Sequence, residues 1–177
     1  MKSRDASARL AREGYLEPRM NLQELFQPDD LLVDFAPADK WAAIGELVEL
    51  LVRRGKLSAQ EAPVVLEHVL ARERSMSTGM ERGVAIPHAA VEGVRSVLAC
   101  MGIVSRPEGL QFGSIDARPA RLVILLVIPR AQKLLHIRTL ADVARVLGVD
   151  SVREALLAAR TSSEAWAALG AKDAAPR

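Results

Sequence analysis

A single cysteine, Cys100, is all the sequence holds, so a disulfide framework is excluded and a cysteine-based zinc site cannot be assembled. It lies in the apolar stretch Val97–Met101 and is read as small core filler. Long hydrophobic runs are missing too. The longest, Leu122–Ile128, falls far short of the roughly 20 apolar residues that a membrane-spanning helix needs. Residues 1–19 mix charges with small side chains and lack the apolar core of a secretory signal. A soluble, cytoplasmic protein with no membrane insertion is the expectation. Nor does charge of one sign accumulate: the formal net charge is +2, and Lys and Arg are scattered among Asp and Glu. Without a basic block or stripe there is no footprint for nucleic acid. The glycines of the loop Ser77–Gly83 lack the spacing and the Lys-Ser/Thr pair of a nucleotide-binding P-loop, and no His-Glu-x-x-His motif occurs. Neither a bound nucleotide nor a purely structural metal is expected.

What is present is apolar material for one core. The chain has 177 residues, 50% of them hydrophobic and 26% charged, the balance of a single globular domain. A flexible extension is expected over residues 1–20, the folded domain over 21–170 and a loose tail over 171–177. Leu31–Phe35 reads as a short strand, and residues 38–54 as a helix with Ile44, Leu47, Val48 and Leu51 at helical spacing, ended by Gly55. A second helix starts near Ser58, where Ser58-Ala59-Gln60-Glu61 matches a capping box, or later, with Pro63 in its first turn. Its stripe is Ala62, Val65, Leu66, Val69 and Leu70, continued by Arg72. Val84-Ala85-Ile86 is a short apolar segment stopped by Pro87, and Val97–Val104 is a further strand. Leu122–Ile128, mostly branched and stopped by Pro129, reads as a central strand buried on both faces. Helices near 132–147, 152–159 and 163–169 close the chain. The elements predict a three-layer α/β sandwich with a mixed central sheet flanked by helices, because several connections are too short for helical crossovers.

The three histidines can be weighed one by one. His68 sits off the apolar stripe and reads as a solvated surface residue. His88 follows an apolar segment and a proline, where the strand gives way to a loop, a usual place for functional side chains in α/β folds. There it is either a histidine hydrogen-bonded at a strand end or a nucleophile, since neutral imidazole keeps a free lone pair near physiological pH. His136 falls on the apolar face of its helix, in register with Leu140, Ala144 and Leu147; a satisfied core histidine is the plain reading, yet it can also reach the sheet edge that carries His88, where two histidines make a relay, a phosphate site or two metal ligands. Three groups suit phosphate: the fork of Arg72, the hydroxyls and amides of Ser77 and Thr78, and the acceptor nitrogen of His88. Arg72 alone is equally a solvated arginine favoured at a helix C-terminus.

The segment Arg72-Glu73-Arg74-Ser75-Met76-Ser77-Thr78-Gly79, followed by Gly83-Val84-Ala85-Ile86-Pro87-His88-Ala89, resembles the active-site stretch of enzyme IIA domains of the bacterial sugar phosphotransferase system. The class is the fructose, mannitol and nitrogen-regulatory one, in which an Arg-Glu pair, a Ser-Thr-Gly turn and a Gly-x-Ala-Ile-Pro-His run occur in this order. Leu122–Pro129 and His136–Leu140 are similar to its central strand and the helix of its second histidine, so the resemblance covers about residues 20–169. It implies that His88 accepts a phosphoryl group from an HPr-type phosphocarrier protein, that Arg72 stabilises the phosphohistidine, that His136 orients or neutralises the transferred group, and that no metal, nucleotide or other cofactor is called for. Two departures stand out: Arg138 where many relatives have a further histidine, and Met80-Glu81-Arg82 in place of a small or polar loop.

The function expected is a phosphohistidine relay component, and a regulatory, nitrogen-type role is favoured because no IIB or membrane domain is fused to this chain. The alternatives are a sugar-transport IIA that passes phosphate to a IIB domain, and a non-catalytic IIA-like module that binds regulatory protein targets without turnover.

Overall fold

The computed structural model describes residues 20–170. Apart from Met20, the extension expected over 1–20 and the tail expected over 171–177 lie outside the described residues. The described chain opens with a one-turn helix α1 (Leu22–Leu25), capped by Asn21, and a 3-10 turn, Pro28–Asp30, that delivers β1 (Leu31–Phe35). Helix α2 (Lys40–Arg53) begins two residues later than its apolar spacing predicts, because the Asp39 side chain accepts the amides of Trp41 and Ala42 at 2.9 Å each. Gly55, at φ 67°, follows its end in the left-handed conformation that a glycine adopts without strain.

Helix α3 (Ala62–Ser75) settles the choice left open at its start. Ser58 and Glu61 do bond reciprocally, Ser58 N–H to Glu61 Oε2 and Glu61 N–H to Ser58 Oγ at 3.2 Å each, but they close a turn ahead of the helix. Pro63 occupies the first helical turn, where its missing N–H breaks no bond.

The sheet contains β1, β2 (Val84–Ala85), β3 (His88–Val91), β4 (Leu98–Val104) and β5 (Leu122–Pro129). Its order is β1-β4-β5-β2, with β3 also on β5; β1 runs parallel to β4, β4 antiparallel to β5, and both β2 and β3 parallel to β5. The sheet is therefore mixed, as expected. Strand β3 is a difference from the sequence reading, which has the strand yield to a loop at Pro87. Pro87 interrupts the pairing without ending it: its carbonyl accepts the Leu126 amide at 3.0 Å and the register resumes at His88↔Leu126. An edge position tolerates the missing N–H.

All eight residues of β5 are buried, and the strand period sorts them into two cores. Val123, Leu125 and Val127 pack with the apolar stripes of α2 and α3, along with Cys100, whose Sγ lies 3.2 Å from the Leu47 carbonyl. Leu122, Ile124, Leu126 and Ile128 pack with α1 and with the closing helices α4 (Lys133–Leu147), α5 (Asp150–Ala158) and α6 (Ser162–Leu169). These are the three layers. No helix among the described residues is long and apolar enough to cross a membrane.

Two glycines test this packing with opposite signs. A Cβ on Gly102 would lie 2.2 Å from the Phe35 ring, so Gly102→Ala is expected to destabilise by about 1–3 kcal/mol. Gly45, inside α2, has nothing within 4 Å of an added Cβ, and Gly45→Ala is expected to stabilise by about 0.5–1 kcal/mol. Urea midpoints that do not move in opposite directions would contradict the register of β1 on β4 or the open space beside α2.

Candidate functional site

Strand β3 alternates. Ala89 and Val91 face the α2/α3 core, so His88 projects from the other face, beside its register partner Leu126 and toward α4. Helix α4 buries Thr139, Val143, Val146 and Leu147, and His136 continues that stripe one turn toward the N-terminus, where the core opens to solvent. His136 is thus half-buried at the rim of the core. The two imidazoles meet edge to face, with centroids 5.6 Å apart and planes at 83°.

The main chain chooses the tautomer of His88. Its Nδ1 lies 2.7 Å from the Ile86 carbonyl oxygen. A carbonyl only accepts, so Nδ1 carries the proton and Nε2 holds the lone pair. The ring sits below the ordinary histidine pKa of 6.5: burial disfavours its cation, the Ile86 carbonyl works against that, the charges of Arg72 and His136 lower it further, and Glu73 raises it. His88 is therefore neutral at pH 7, the form in which an imidazole attacks.

Arg72 and Glu73 end helix α3. The Arg72 guanidinium donates to the Met76 carbonyl at 2.8 Å, folding back over the helix end, half-exposed and close enough for its charge to act on His88. Glu73 enters the sequence analysis only as half of the Arg-Glu pair, with no role of its own. The buried stripe of α3 runs Val65, Val69, Glu73 at a spacing of four, and Arg72 lies beside it rather than on it. A carboxylate in phase with two buried valines was the signal available. With no exposure at all, its side chain takes Lys40 Nζ on Oε1 at 2.8 Å and two bonds on Oε2, from Thr78 N–H at 2.9 Å and Thr78 Oγ1–H at 2.5 Å. Lys40, whose role sequence reasoning missed as well, is supplied by the first turn of α2.

From Glu73 the hydrogen bonds run on to the histidine. The Thr78 carbonyl accepts the Ile86 amide at 3.0 Å, and the Ile86 carbonyl accepts Nδ1–H of His88. Ser77 holds the same loop from the other side: Oγ–H donates to the Phe112 carbonyl, and Oγ accepts the Gly79 amide at 3.0 Å. Gly79 has no room for a side chain, since a Cβ would lie 2.7 Å from Ser114 Oγ and 3.0 Å from Phe112 Cβ.

The structure therefore brings His88 and His136 into contact and sets Arg72 within electrostatic reach. It engages the hydroxyls of Ser77 and Thr78 within the loop, so contact with a bound phosphate would have to replace those bonds. His68 is exposed, its Nδ1 2.8 Å from the Val64 carbonyl. Arg138, two residues past His136, is exposed, and Glu81 lines a separate cleft with Arg82, Ile115 and Leu147. Among the described residues no group of three His, Cys, Asp or Glu side chains could hold a metal ion.

Residues 24–172 match the family described as "Phosphoenolpyruvate-dependent sugar phosphotransferase system, EIIA 2". A "PTS system fructose-specific EIIA component" from Haloferax volcanii is 33% identical over 125 residues, 71% of this chain and 79% of that protein. A "Nitrogen regulatory protein" from Pseudomonas aeruginosa is 28% identical over 143 residues, 81% of this chain and 90% of the relative. Among solved structures, the Nitrogen Regulatory Protein IIA-Ntr from Neisseria meningitidis superposes with a TM-score of 0.71 at 27% identity, covering 84% of this chain and 98% of the other.

The ring's environment sets a pH dependence. By NMR titration His88 should protonate below 6.5; Arg72→Ala, which removes a positive charge, should raise that value, and Glu73→Gln, which removes a negative one, should lower it. With the folded pKa depressed, the unfolded chain takes up the proton first, so the ring's contribution to stability is complete above about 6.5 and is lost as pH falls through the folded value. A native His88 titrating at or above 6.5 would overturn this account. Lys40→Met leaves the Glu73 carboxylate buried without its cation, and a loss of about 3–5 kcal/mol is expected in denaturant unfolding.

Proposed function

The chain belongs to the EIIA 2 family of the phosphoenolpyruvate-dependent sugar phosphotransferase system, and from that premise we propose that it carries a phosphoryl group on Nε2 of His88. The observation that bears this reading is the bond from Nδ1–H of His88 to the Ile86 carbonyl, which leaves Nε2 as the nucleophile. The donor is a phosphohistidine on an HPr-type carrier protein in the cytoplasm. The Nε2 lone pair forms the new N–P bond as the donor's N–P bond breaks, and that electron pair returns to the donor's imidazole. No proton has to move, since Nδ1–H stays on the Ile86 carbonyl and stabilises the phosphoimidazolium formed. Catalysis is then a matter of positioning and charge compensation.

Around that step the roles follow the geometry. His136, edge-on to the acceptor ring, gives an N–H to a phosphoryl oxygen. Arg72 exchanges its Met76 carbonyl for another. Thr78 and Ser77 hold the loop, Thr78 through Glu73 and the Ile86 amide, Ser77 through Phe112 and Gly79; their hydroxyls turn to the bound group by exchanging those bonds. Glu73 and Lys40 act through Thr78 as positioning residues.

A nitrogen-type regulatory role is supported by the Pseudomonas relative and the Neisseria structure, which are similar to this chain along most of their length. In that role the phosphorylation state changes which protein is bound. The fructose-specific relative supports the transport branch, in which phosphate passes to a IIB domain.

Incubation with phosphoenolpyruvate, enzyme I and an HPr-type protein, followed by intact-mass analysis at alkaline pH, tests the reading. One acid-labile phosphate is expected on the native chain and none on His88→Ala. His136→Ala and Arg72→Ala should slow uptake by about 10²–10³-fold while leaving the capacity at one phosphate. No gain from sugar-branch or nitrogen-branch HPr would favour a binding module without turnover, and labelling of His88→Ala would move the acceptor elsewhere.

A further inference from the structure

The loop departure Met80-Glu81-Arg82 is left unused by the phosphotransfer reading, and Arg82 leads to a different place. With Arg118, Arg121, Arg153, Gly83 and Leu122 it lines a cleft of about 240 Å³. Four arginines line it, and no carboxylate is among the lining residues. Two carboxylates neighbour them. Asp116 accepts the Arg82 amide at 2.7 Å and has Arg118 Nε at 3.8 Å, while Asp150 pairs with Arg153 and lies 3.4 Å from Arg82 Nη1. The four arginines thus keep two positive charges in excess of the two aspartates.

One donor is visibly incomplete. Arg121 gives Nη2–H to the Val104 carbonyl at 3.1 Å, but its Nε is buried and has no hydrogen-bond partner. A buried donor without an acceptor is destabilising, and a turn of the Arg121 side chain that brings Nε to an anion in the cleft would supply one. The side chains of Arg82 and Arg118 are more than half exposed, so their forks can turn inward.

We propose that this cleft is a second anion site, distinct from His88, that takes the phosphate group of a small molecule. Guanidinium forks match phosphate oxygens two at a time, and the second negative charge of a phosphate, which a carboxylate lacks, answers the two positive charges in excess. The volume equals about eight waters at roughly 30 Å³ each, enough for a phosphate on a short carbon chain and too little for a nucleotide. The site lies at the start of β5: the Gly83 carbonyl accepts the amides of Arg121 and Leu122 at 2.8 and 3.1 Å, whereas His88 pairs four residues further on, at Leu126. That separation is roughly 13 Å along the strand, so an occupant does not compete with the phosphate on His88. It braces the residue from which β2 leads to the histidine.

Amide-resolved NMR on the full chain, titrated with inorganic phosphate and with 3-phosphoglycerate against chloride at matched ionic strength, tests the site. Saturable shifts centred on Gly83, Arg121 and Leu122 are expected with both phosphates and not with chloride. Tighter binding of 3-phosphoglycerate would assign the occupant as a phosphorylated metabolite, and equal binding as the free ion. Arg118→Gln should weaken binding about tenfold, and His88→Ala should bind as the native chain does, which separates this site from the phosphotransfer reading. Adding Arg82→Gln should weaken it further; if that double variant unfolds through loss of the bond to the Gly148 carbonyl, the exposed Arg118→Gln decides alone. Shifts that never saturate, shifts centred on His88 and Arg72, or undiminished affinity in Arg118→Gln would each overturn the proposal.

Discussion

A carboxylate shut away from water has to be met on every side, and Glu73 makes the rest of the site conform to that demand. Lys40 must stand at the first turn of α2, which fixes how α2 and α3 cross at this end. Thr78 must bring both its amide and its hydroxyl to the same oxygen, which fixes the loop. Once Thr78 is placed, its carbonyl has one direction left, toward the Ile86 amide, and the Ile86 carbonyl then meets the imidazole. Breaking one bond in such a run leaves charge or polarity buried without a partner, so the pieces hold or fail together.

The second constraint comes from β5. With both faces buried, it requires helices above and below; one of these, α4, carries His136, while β3, paired on the edge of β5, carries His88. Pro87 breaks the edge pairing between β2 and β3, and the resumed register at Leu126 turns His88 to the side of α4. Helix α4 follows β5 after a short turn, so its first turn sits at the same rim, and His136 arrives there because it lies one turn before the buried stripe begins. The contact between two residues 48 positions apart is thus a product of strand phase and helix phase.

Local signals in the chain were readable where one period ruled. The run Leu122–Ile128 announces a doubly buried strand, Leu31–Phe35 appears where expected, and the His88 and His136 positions stood out because histidines are few. The start of α3 was ambiguous because Ser58-Glu61 and Pro63 each give a valid terminus, and only packing decides between them. Strand β3 was illegible because a proline normally ends a strand, and what rescues it is the neighbour, β5, not its own residues. The Glu73–Lys40 pair is 33 residues apart, and nothing in either local pattern names the other. Its trace was a charge in phase with Val65 and Val69, which tells where a buried cation is needed without telling which one.

That the partner of Nδ1 is a main-chain oxygen has a consequence for traffic through the ring. Any side chain at position 86 leaves that oxygen in place, so the choice of reacting nitrogen is insulated from substitution there. In the phosphotransfer reading, arrival and departure of the phosphoryl group then meet the same ring in the same protonation state. Such a carrier has no ratchet of its own: the direction of flow is dictated by how fully its neighbours upstream and downstream are charged, and its occupancy becomes a gauge of that ratio.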